Sequence, residues 1–186
     1  TLHRAAEALA KAGRSDIAIN APGTTSSVVL AALAEAGTTQ VEPGHGLTGT
    51  TPLHAVEDLP ELPAVVYVSE VSHHHGSEAY CFGGGLYIDP IFPDYPVRAV
   101  VAREPTVAAD ALRTVDIPPP AAIDYYGMID ASTGPRPAVG DTVVFGFRPQ
   151  VFVTRAYTVG VSGLGTGDPV PGAIHDAFGR VADWPR

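Results

Sequence analysis

The chain has 186 residues, enough for one domain of ordinary size or two small ones. Hydrophobic residues make up 45% and charged residues 17%, so the composition allows a buried core and excludes a disordered chain. A net charge of −9 without a basic stripe argues against nucleic acid as a partner. The sequence has no apolar run of roughly 18 residues and a single cysteine, so we expect a cytoplasmic protein with no membrane partner.

Helix and strand signals alternate in the first third of the chain. Amphipathic spacing predicts a helix over residues 1–12, and Gly13 follows as a stop. The pattern then predicts a strand over 16–20, a helix over 28–36 and a strand over 39–42. Short loops between such elements are typical of a parallel α/β unit.

Beyond this unit the helical periodicity disappears and strand signals dominate. Residues 57–63, with two prolines, are typical of a linker, so we predict one domain over 1–58 and another over 59–186. The second domain is predicted to be all-β, a barrel or a sandwich. Its predicted strands, separated by Gly, Pro and Asp, are 64–75, 79–88, 97–103, 142–148 and 151–161.

Two loops in the first domain have the character of an anion site. Thr24, Thr25, Ser26 and Ser27 lie between a strand end and a helix start, where backbone N–H groups and hydroxyls can bind a phosphate. The alternative is that one hydroxyl caps the helix. The second strand also ends in a glycine-containing turn, over residues 42–46, so two neighbouring strand ends could act together.

Several motifs carry a resemblance to a known family. The chain resembles the C-terminal portion of an alanine-racemase-like (fold type III) pyridoxal 5′-phosphate enzyme, and specifically its YhfX-like branch. The motifs are Asn20-Ala21-Pro22 with the hydroxyl residues after it, and the segments 41–49, 69–74, 80–85, 123–126 and 147–155.

The resemblance implies an α/β plus all-β fold, with the last strands of a cofactor-binding (β/α)8 barrel followed by a β-barrel-like domain. It implies that residues 24–27 and Gly44, beside His45, hold the phosphate of pyridoxal 5′-phosphate. Glu42 matches the acidic residue that decarboxylase-type relatives place against the pyridine nitrogen. A carboxylate there keeps the ring protonated and strengthens it as an electron sink.

The resemblance also implies what the chain must be joined to. The family's lysine that binds the cofactor covalently comes from the first barrel strand, whereas the only lysine here is Lys11, within a predicted helix. We therefore expect a missing N-terminal barrel segment, a homodimer that shares its site between subunits, and no activity from this polypeptide alone.

Three reactions or roles remain open. The first is racemisation of a small-molecule amino acid by the complete enzyme, in which this chain supplies phosphate and ring-nitrogen contacts and the β-domain. The second is decarboxylation or elimination on the same fold, which Glu42 motivates. The third is a non-catalytic fragment that binds a ligand or a partner.

Racemisation needs a proton donor on each face of the substrate carbanion. The family takes the second donor from the β-domain, often a tyrosine or a cysteine, and the candidates here are Cys81, Tyr80 and Tyr125, with Tyr126 beside them. The alternative for Cys81 is a small buried hydrophobe, and for each tyrosine it is core or interface packing.

Polar residues of the β-domain could bind the substrate. His73 and His74 are predicted to contact substrate, while zinc binding by His73 and His75 and a simple surface role are the alternatives. Arg148, with Gln150, could pair with a substrate carboxylate, and an edge salt bridge is the alternative. No resident metal is expected.

Overall fold

The structure is a computed structural model that describes residues 2–23, 26–84, 88, 96–106, 108–119, 125–146, 157–163 and 166–183. The predicted site residues Thr24, Thr25, Arg148 and Gln150 lie outside the described residues. Within the described ranges, none of the helices is both long and apolar enough to cross a bilayer.

The first part of the chain alternates helices with two short parallel strands. Strand β1 pairs with β2, with Asn20 opposite Gln40 and Ala21 opposite Val41. This pairing confirms the predicted parallel arrangement, although each strand is shorter than predicted. The elements are α1 (Leu2–Lys11), β1 (Asn20–Ala21), a 3-10 turn (Ser27–Val29) that continues into α2 (Leu30–Glu35), β2 (Gln40–Val41) and α3 (His45–Thr48).

The helices of this part leave apolar surface uncovered. Neither α1 nor α2 contains a buried residue. Leu2 and Leu9 on α1 are 48% and 44% exposed, and Leu30 on α2 is 42% exposed. Because an amphipathic helix gains most of its stability by packing its apolar face, these helices are incompletely packed within the described chain.

The second part contains a closed six-stranded antiparallel barrel. The strands follow the order β3-β4-β7-β6-β5-β8, and β8 closes the barrel against β3. A β-barrel in this part was predicted, and the structure confirms it. The strands are β3 (Tyr67–His75), β4 (Glu78–Phe82), β5 (Arg98–Ala102), β6 (Leu112–Asp116), β7 (Tyr126–Asp130) and β8 (Thr142–Phe145).

One contiguous core fills this barrel. Alternate residues of the strands point inward, as the pleat requires, except at one bulge in β3. A side chain at Gly127 on β7 would meet Ile117, Val115 and Cys81 within 3.2 Å, so the interior is filled at that level. The inward residues form a single cluster of Val71, Ala79, Cys81, Ile88, Val97, Ala99, Val101, Val115, Ile117, Ile129, Val143 and Phe145.

A β-bulge in β3 changes which side chains face the core. Val71 pairs with Cys81, but His73 pairs with Tyr80, so Ser72 is the extra residue. As a result Val71 and His74, three positions apart, both pair with inward residues of β4, while His73 is exposed on the outer surface. The bulge therefore places the His73 ring on the outside of the barrel beside Tyr80.

A separate three-stranded antiparallel sheet follows the barrel. Its strands are β9 (Tyr157–Ser162), β10 (Val170–Asp176) and β11 (Val181–Ala182), in the order β11-β10-β9. Ile174 is the buried hydrophobic residue of this sheet. The predicted strand over 151–161 overlaps β9, and its first residues lie outside the described part of the chain.

Candidate functional site

The two predicted anion loops lie at the same edge of the parallel strand pair. Strands β1 and β2 run in the same direction, so their carboxyl ends meet at one edge. The loop after β1 leads to Ser26 and the turn at Ser27, and the loop after β2 contains Glu42 and Gly44 before α3. Such an edge is where parallel α/β structures commonly bind ligands.

The serines of the first loop already bind an anionic group, the carboxylate of Glu61. The Ser26 hydroxyl donates to Oε1 of Glu61 at 2.7 Å, and the backbone N–H of Ser27 donates to Oε2 at 3.0 Å. The Ser27 hydroxyl also donates to Oε2. Ser26 is completely buried, and its oxygen also caps the turn by accepting from the Val28 N–H at 3.4 Å. Capping and anion binding therefore coexist in this loop.

These contacts stabilise the charged form of Glu61. Partial burial acts to raise the pKa of the carboxyl, but hydrogen bonds from Ser27 and Ser26 and the nearby His54 imidazole outweigh it. The pKa of Glu61 consequently lies below its ordinary value. The loop thus prefers a negatively charged group over a neutral one.

The segment over 57–63 is fixed to the α/β part at several points, so it is not the simple linker that its two prolines suggested. The Ala64 N–H donates to the Thr48 carbonyl at 2.7 Å. Gly49, at φ +64°, lies so close to this segment that an added Cβ would be 2.2 Å from the Leu62 carbonyl oxygen. Only a residue without a side chain fits there. The backbone that follows Glu61 is therefore fixed against the α/β part.

Glu42 is exposed and interacts with Asn20 across the strand pair. The Asn20 side-chain amide donates to Oε1 of Glu42. The other side of that amide, Oδ1 of Asn20, is buried and has no hydrogen-bond partner among the described residues. A buried acceptor without a donor costs free energy, so a donor from outside the described residues would be favourable here.

The second loop continues into a chain of polar contacts. His45 Nδ1 lies 2.8 Å from Oγ1 of Thr50, which lies 2.8 Å from Oγ1 of Thr48. Thr50 is buried, whereas Gly44 is exposed at the start of α3. The imidazole of His45 is thus oriented by a neighbouring hydroxyl.

Aromatic rings form a cluster on the outer surface of the barrel. His73 stacks on Tyr80 with centroids 4.6 Å apart, and it meets Tyr126 edge-on at 5.1 Å. Phe82 stacks on Tyr126 at 5.7 Å. The cluster joins three neighbouring strands, β3, β4 and β7, and brings together two residues that the sequence singled out separately, His73 and Tyr80.

The hydroxyls of the predicted tyrosines are accessible. The Tyr80 hydroxyl donates to Oε2 of Glu78 at 3.0 Å, and this hydrogen bond is the main reason that the pKa of Tyr80 is raised. Tyr125 is 69% exposed at the start of β7, beside Tyr126. Both phenols can therefore meet a ligand or another chain, and Tyr80 is protonated at neutral pH.

Cys81 occupies the opposite face of β4, inside the barrel. Its side chain is completely buried, and its thiol donates to the Gly127 carbonyl at 3.5 Å. Burial raises the pKa of the thiol to about 11. The alternative that the sequence offered, a small residue of the core, matches this position, and a proton donor to an external ligand does not.

His74 is held by the barrel itself. Its Nε2 lies 2.7 Å from the Pro137 carbonyl oxygen on the loop between β7 and β8. His73 and His75 share the outer face of β3, as strand alternation predicts, but within the described ranges no group of three or more His, Cys, Asp or Glu side chains could hold a metal ion. Substrate contact by His73 or His74 stays a prediction.

Comparison with known proteins identifies relatives of this chain. The family model described as "YhfX-like, C-terminal domain" matches residues 66–170, which include all six barrel strands. The chain is also 39% identical over 182 residues to the protein named "Uncharacterized protein YhfX" of Escherichia coli (strain K12). That alignment covers 97% of this chain and 44% of the relative, so the chain spans less than half of the relative's length.

Proposed function

The chain belongs to the family of YhfX-like C-terminal domains, and we propose that it is the C-terminal portion of a pyridoxal 5′-phosphate-dependent amino-acid racemase-like enzyme. The proposal rests above all on the parallel β1–β2 pair, whose common edge carries an anion-binding loop and an accessible carboxylate. Such a cofactor supplies a ring that accepts electron density from the substrate Cα. The residues of this chain bind and orient it.

The first support comes from the loop at Ser26 and Ser27. A hydroxyl and a backbone N–H that bind the Glu61 carboxylate offer the same donors to a phosphoryl oxygen. The charged form is the preferred occupant, as the lowered pKa of Glu61 indicates. A phosphate would replace the carboxylate of Glu61 in this loop.

The second support comes from Glu42 and Asn20. Glu42 is exposed at the same edge, and Asn20 orients one of its oxygens. The buried Oδ1 of Asn20 has no partner among the described residues and can accept a hydrogen bond from a ligand. In this proposal the Glu42 carboxylate would accept a hydrogen bond from a protonated pyridine nitrogen, which would keep the ring protonated, and Gly44 and His45 line the same loop.

The third support is the uncovered apolar surface of α1 and α2. A complete (β/α)8 barrel would pack further elements against such helices. A groove of about 260 Å3 runs between α2 and β2, lined by Leu30, Leu33 and Val41 among others. We propose that the N-terminal barrel segment, with the lysine that binds the cofactor, packs on this surface, and that two copies of the enzyme share the site.

The proton donors proposed for the β-domain are Tyr80 and Tyr125. Both are on the outer surface of the barrel, where a neighbouring subunit could bring a substrate. The Tyr80 phenol, whose pKa is raised, is protonated at neutral pH and could serve as the donor that the face opposite the lysine requires. Cys81 is not part of this proposal, because the barrel core encloses it.

Glu42 also favours a second reaction on the same scaffold. A carboxylate against the pyridine nitrogen keeps the ring protonated, which is the arrangement of the decarboxylase-type relatives. The two reactions differ in their products. With the complete enzyme, exchange of the Cα hydrogen in heavy water without loss of carbon dioxide would identify racemisation, whereas carbon dioxide release would identify decarboxylation.

Binding of phosphorylated and unphosphorylated pyridoxine tests the site directly. Neither compound has the aldehyde that reacts with amines, so Lys11 cannot interfere. The full chain should bind pyridoxine 5′-phosphate at least about tenfold more tightly than pyridoxine, a difference of about 1.4 kcal/mol. Isothermal titration calorimetry measures both affinities.

The matched variants are Ser27→Ala and Ser15→Ala. The Ser27 hydroxyl donates to the anion in the loop, whereas Ser15 is exposed in the coil before β1. Ser27→Ala should remove most of the preference for the phosphorylated compound, and Ser15→Ala should leave it unchanged. Equal affinity for both compounds in the unsubstituted chain would overturn the phosphate site.

A further inference from the structure

A cavity of about 430 Å3 lies at one end of the barrel, and its lining contains no residue of the β1–β2 edge. It is open to solvent and is bordered by the loop between β5 and β6 and by the loop between β7 and β8. Its volume is in the range of small-molecule sites. Nothing in the proposed cofactor site uses this cavity.

The inner wall of the cavity carries a buried guanidinium, that of Arg113. The side chain is on β6 at an inward-facing position and is only 8% exposed. It donates to the carbonyl oxygens of Thr133 and Pro135. A guanidinium has five N–H donors, so these two bonds leave donors for a further acceptor.

No carboxylate neutralises this buried charge among the residues that the structure describes. The salt bridges there join Arg14 to Asp16 and Arg103 to Asp141. Asp130, the acid whose carboxylate responds to the charge of Arg113, is exposed and accepts hydrogen bonds from Ser132 at 2.5 and 2.8 Å. A buried cation without an ion-pair partner is costly, so an anionic group in the cavity would be stabilising.

The outer wall carries charges of both signs. Glu104 and Asp110 line the cavity and are exposed on the β5–β6 loop, and Arg136, exposed on the β7–β8 loop, also lines it and donates to the Gly76 carbonyl at 3.3 Å. The third acid of the lining, Asp141, is already engaged by Arg103 at 3.0 Å and by the Ala138 N–H at 2.8 Å. Glu104 and Asp110 disfavour a negative group on their side of the cavity, whereas a ligand with both charges can pair with the guanidinium of Arg113 and with these two carboxylates.

We propose that this cavity binds a small zwitterion, whose carboxylate pairs with Arg113 and whose ammonium group lies toward Asp110 and Glu104. A guanidinium presents a planar fork that matches a carboxylate in two parallel hydrogen bonds. The ligand class is therefore an amino acid or a similar aminocarboxylate. This site does not depend on the proposed cofactor site.

Titrations followed by NMR test the assignment on the full chain. The probes are L-alanine and 4-aminobutyrate as zwitterions, acetate as the carboxylate alone and methylammonium as the amine alone, all at one ionic strength. The backbone amides of Ala108, Asp110 and Ala111 report on the cavity. One of the zwitterions should bind at least about tenfold more tightly than acetate and methylammonium.

Two tryptophan variants separate the cavity from its surroundings. Ala108 lines the cavity, whereas Ala109 is exposed on the same turn and does not. Ala108→Trp should abolish zwitterion binding, and Ala109→Trp should leave it unchanged. Neither substitution touches the hydrogen bonds of Arg113, so loss of binding cannot be attributed to unfolding of the loop that Arg113 holds.

Charge variants then test the two walls. Asp110→Asn should weaken zwitterion binding several-fold and leave acetate binding unchanged or stronger. Arg113→Lys should weaken both, because an ammonium group cannot form the two parallel bonds. The proposal would be overturned if neither zwitterion caused saturable chemical-shift changes at concentrations up to about 50 mM, which already corresponds to very weak binding. Equal affinity for acetate and the zwitterions would also overturn it, as would an Arg113→Lys chain that melts earlier but binds as before.

Discussion

The carboxylate of Glu61 lies 2.7 Å from the hydroxyl oxygen of Ser26, although 35 residues separate the two along the chain. This contact ties the segment that enters the barrel to the loop after β1. It also places a negative charge where the cofactor proposal requires a phosphate. Glu61 is thus both a structural contact and a competitor for the proposed ligand.

Replacement of Glu61 by Gln should separate these two roles. The amide loses the charge-assisted hydrogen bonds, so the free energy of unfolding should fall by about 1 kcal/mol, measured by urea denaturation. At the same time, affinity for pyridoxine 5′-phosphate should rise, because no carboxylate competes. Glu57→Gln is the matched control, since Glu57 is exposed in the same segment, and it should change neither quantity. Unchanged phosphate affinity in Glu61→Gln would show that the phosphate binds elsewhere.

The lowered pKa of Glu61 predicts that the folded chain loses stability in acid. The pKa of Glu61 is lower in the folded chain than its ordinary value of 4.5, so the folded state binds this proton less readily than the unfolded state does. The contribution of Glu61 is therefore present above about pH 4.5 and is lost as the pH falls through the lowered pKa. Thermal melting between about pH 7 and pH 3 should show a smaller acid-induced decrease for Glu61→Gln than for the unsubstituted chain. Parallel curves would contradict the pKa assignment.

Cys81 should be inert toward thiol reagents while the barrel is folded. Burial raises the pKa of the thiol from 9.0 to about 11, so little reactive thiolate exists near neutral pH. A colorimetric disulfide reagent should react with it only at the rate of unfolding, and rapidly in denaturant. Cys81→Ala should cost about 1–2 kcal/mol of stability through the small cavity that it leaves. Rapid labelling of the folded chain would show that the thiol is accessible and would return it to the catalytic candidates.

The raised pKa of the Cys81 thiol also predicts a loss of stability at alkaline pH. Between the ordinary value of 9.0 and about 11 the unfolded chain ionises this thiol and the folded chain does not. The folded state must therefore lose stability over that interval, relative to a Cys81→Ala chain. Urea denaturation of the two chains at a series of alkaline pH values measures the difference. A constant difference would contradict the burial of the thiol.

Gly49→Ala should be much more harmful than Gly13→Ala. Both glycines have positive φ, +64° and +81°, so both substitutions incur the cost of a left-handed conformation, roughly 1–2 kcal/mol. At Gly13 an added Cβ meets nothing within 4 Å, whereas at Gly49 it would be 2.2 Å from the Leu62 carbonyl oxygen. Only Gly49→Ala should displace the segment that carries Glu61. Equal melting temperatures of the two variants would indicate that this segment is loosely held.

The spacing of apolar residues was sufficient to predict those helices and strands in which that spacing is regular. Helices α1 and α2, the parallel strand pair and the β3, β4, β5 and β8 strands were predicted near their observed positions, whereas the short helix α3 was not predicted. Strands β6, β7, β10 and β11 were missed, and for β6 and β7 the reasons are identifiable. In β6 an arginine, Arg113, occupies an inward position, and in β7 Gly127 does so, and neither residue type is typical of the buried face of a strand.

The contacts that define the candidate sites are the part that could not be read from the sequence. Glu61 lies between two prolines, which predicts a loop and contains no information on a partner 35 residues away. The extra residue at Ser72 reverses the inward and outward alternation for the histidines that follow it. A pattern of residue types predicts neither the contact of Glu61 nor the bulge at Ser72, because both depend on how distant segments of the chain pack together.

The closed barrel limits how this part of the protein can associate with other chains. Each of its six strands has a hydrogen-bonded neighbour on both sides, so among the described residues the barrel has no edge strand to offer to an incoming strand. A partner, including a second copy, must therefore recognise side chains such as the outer rings of His73, Tyr80 and Tyr126. Variation in those few side chains could change the choice of partner without disturbing the hydrogen-bonded framework beneath them.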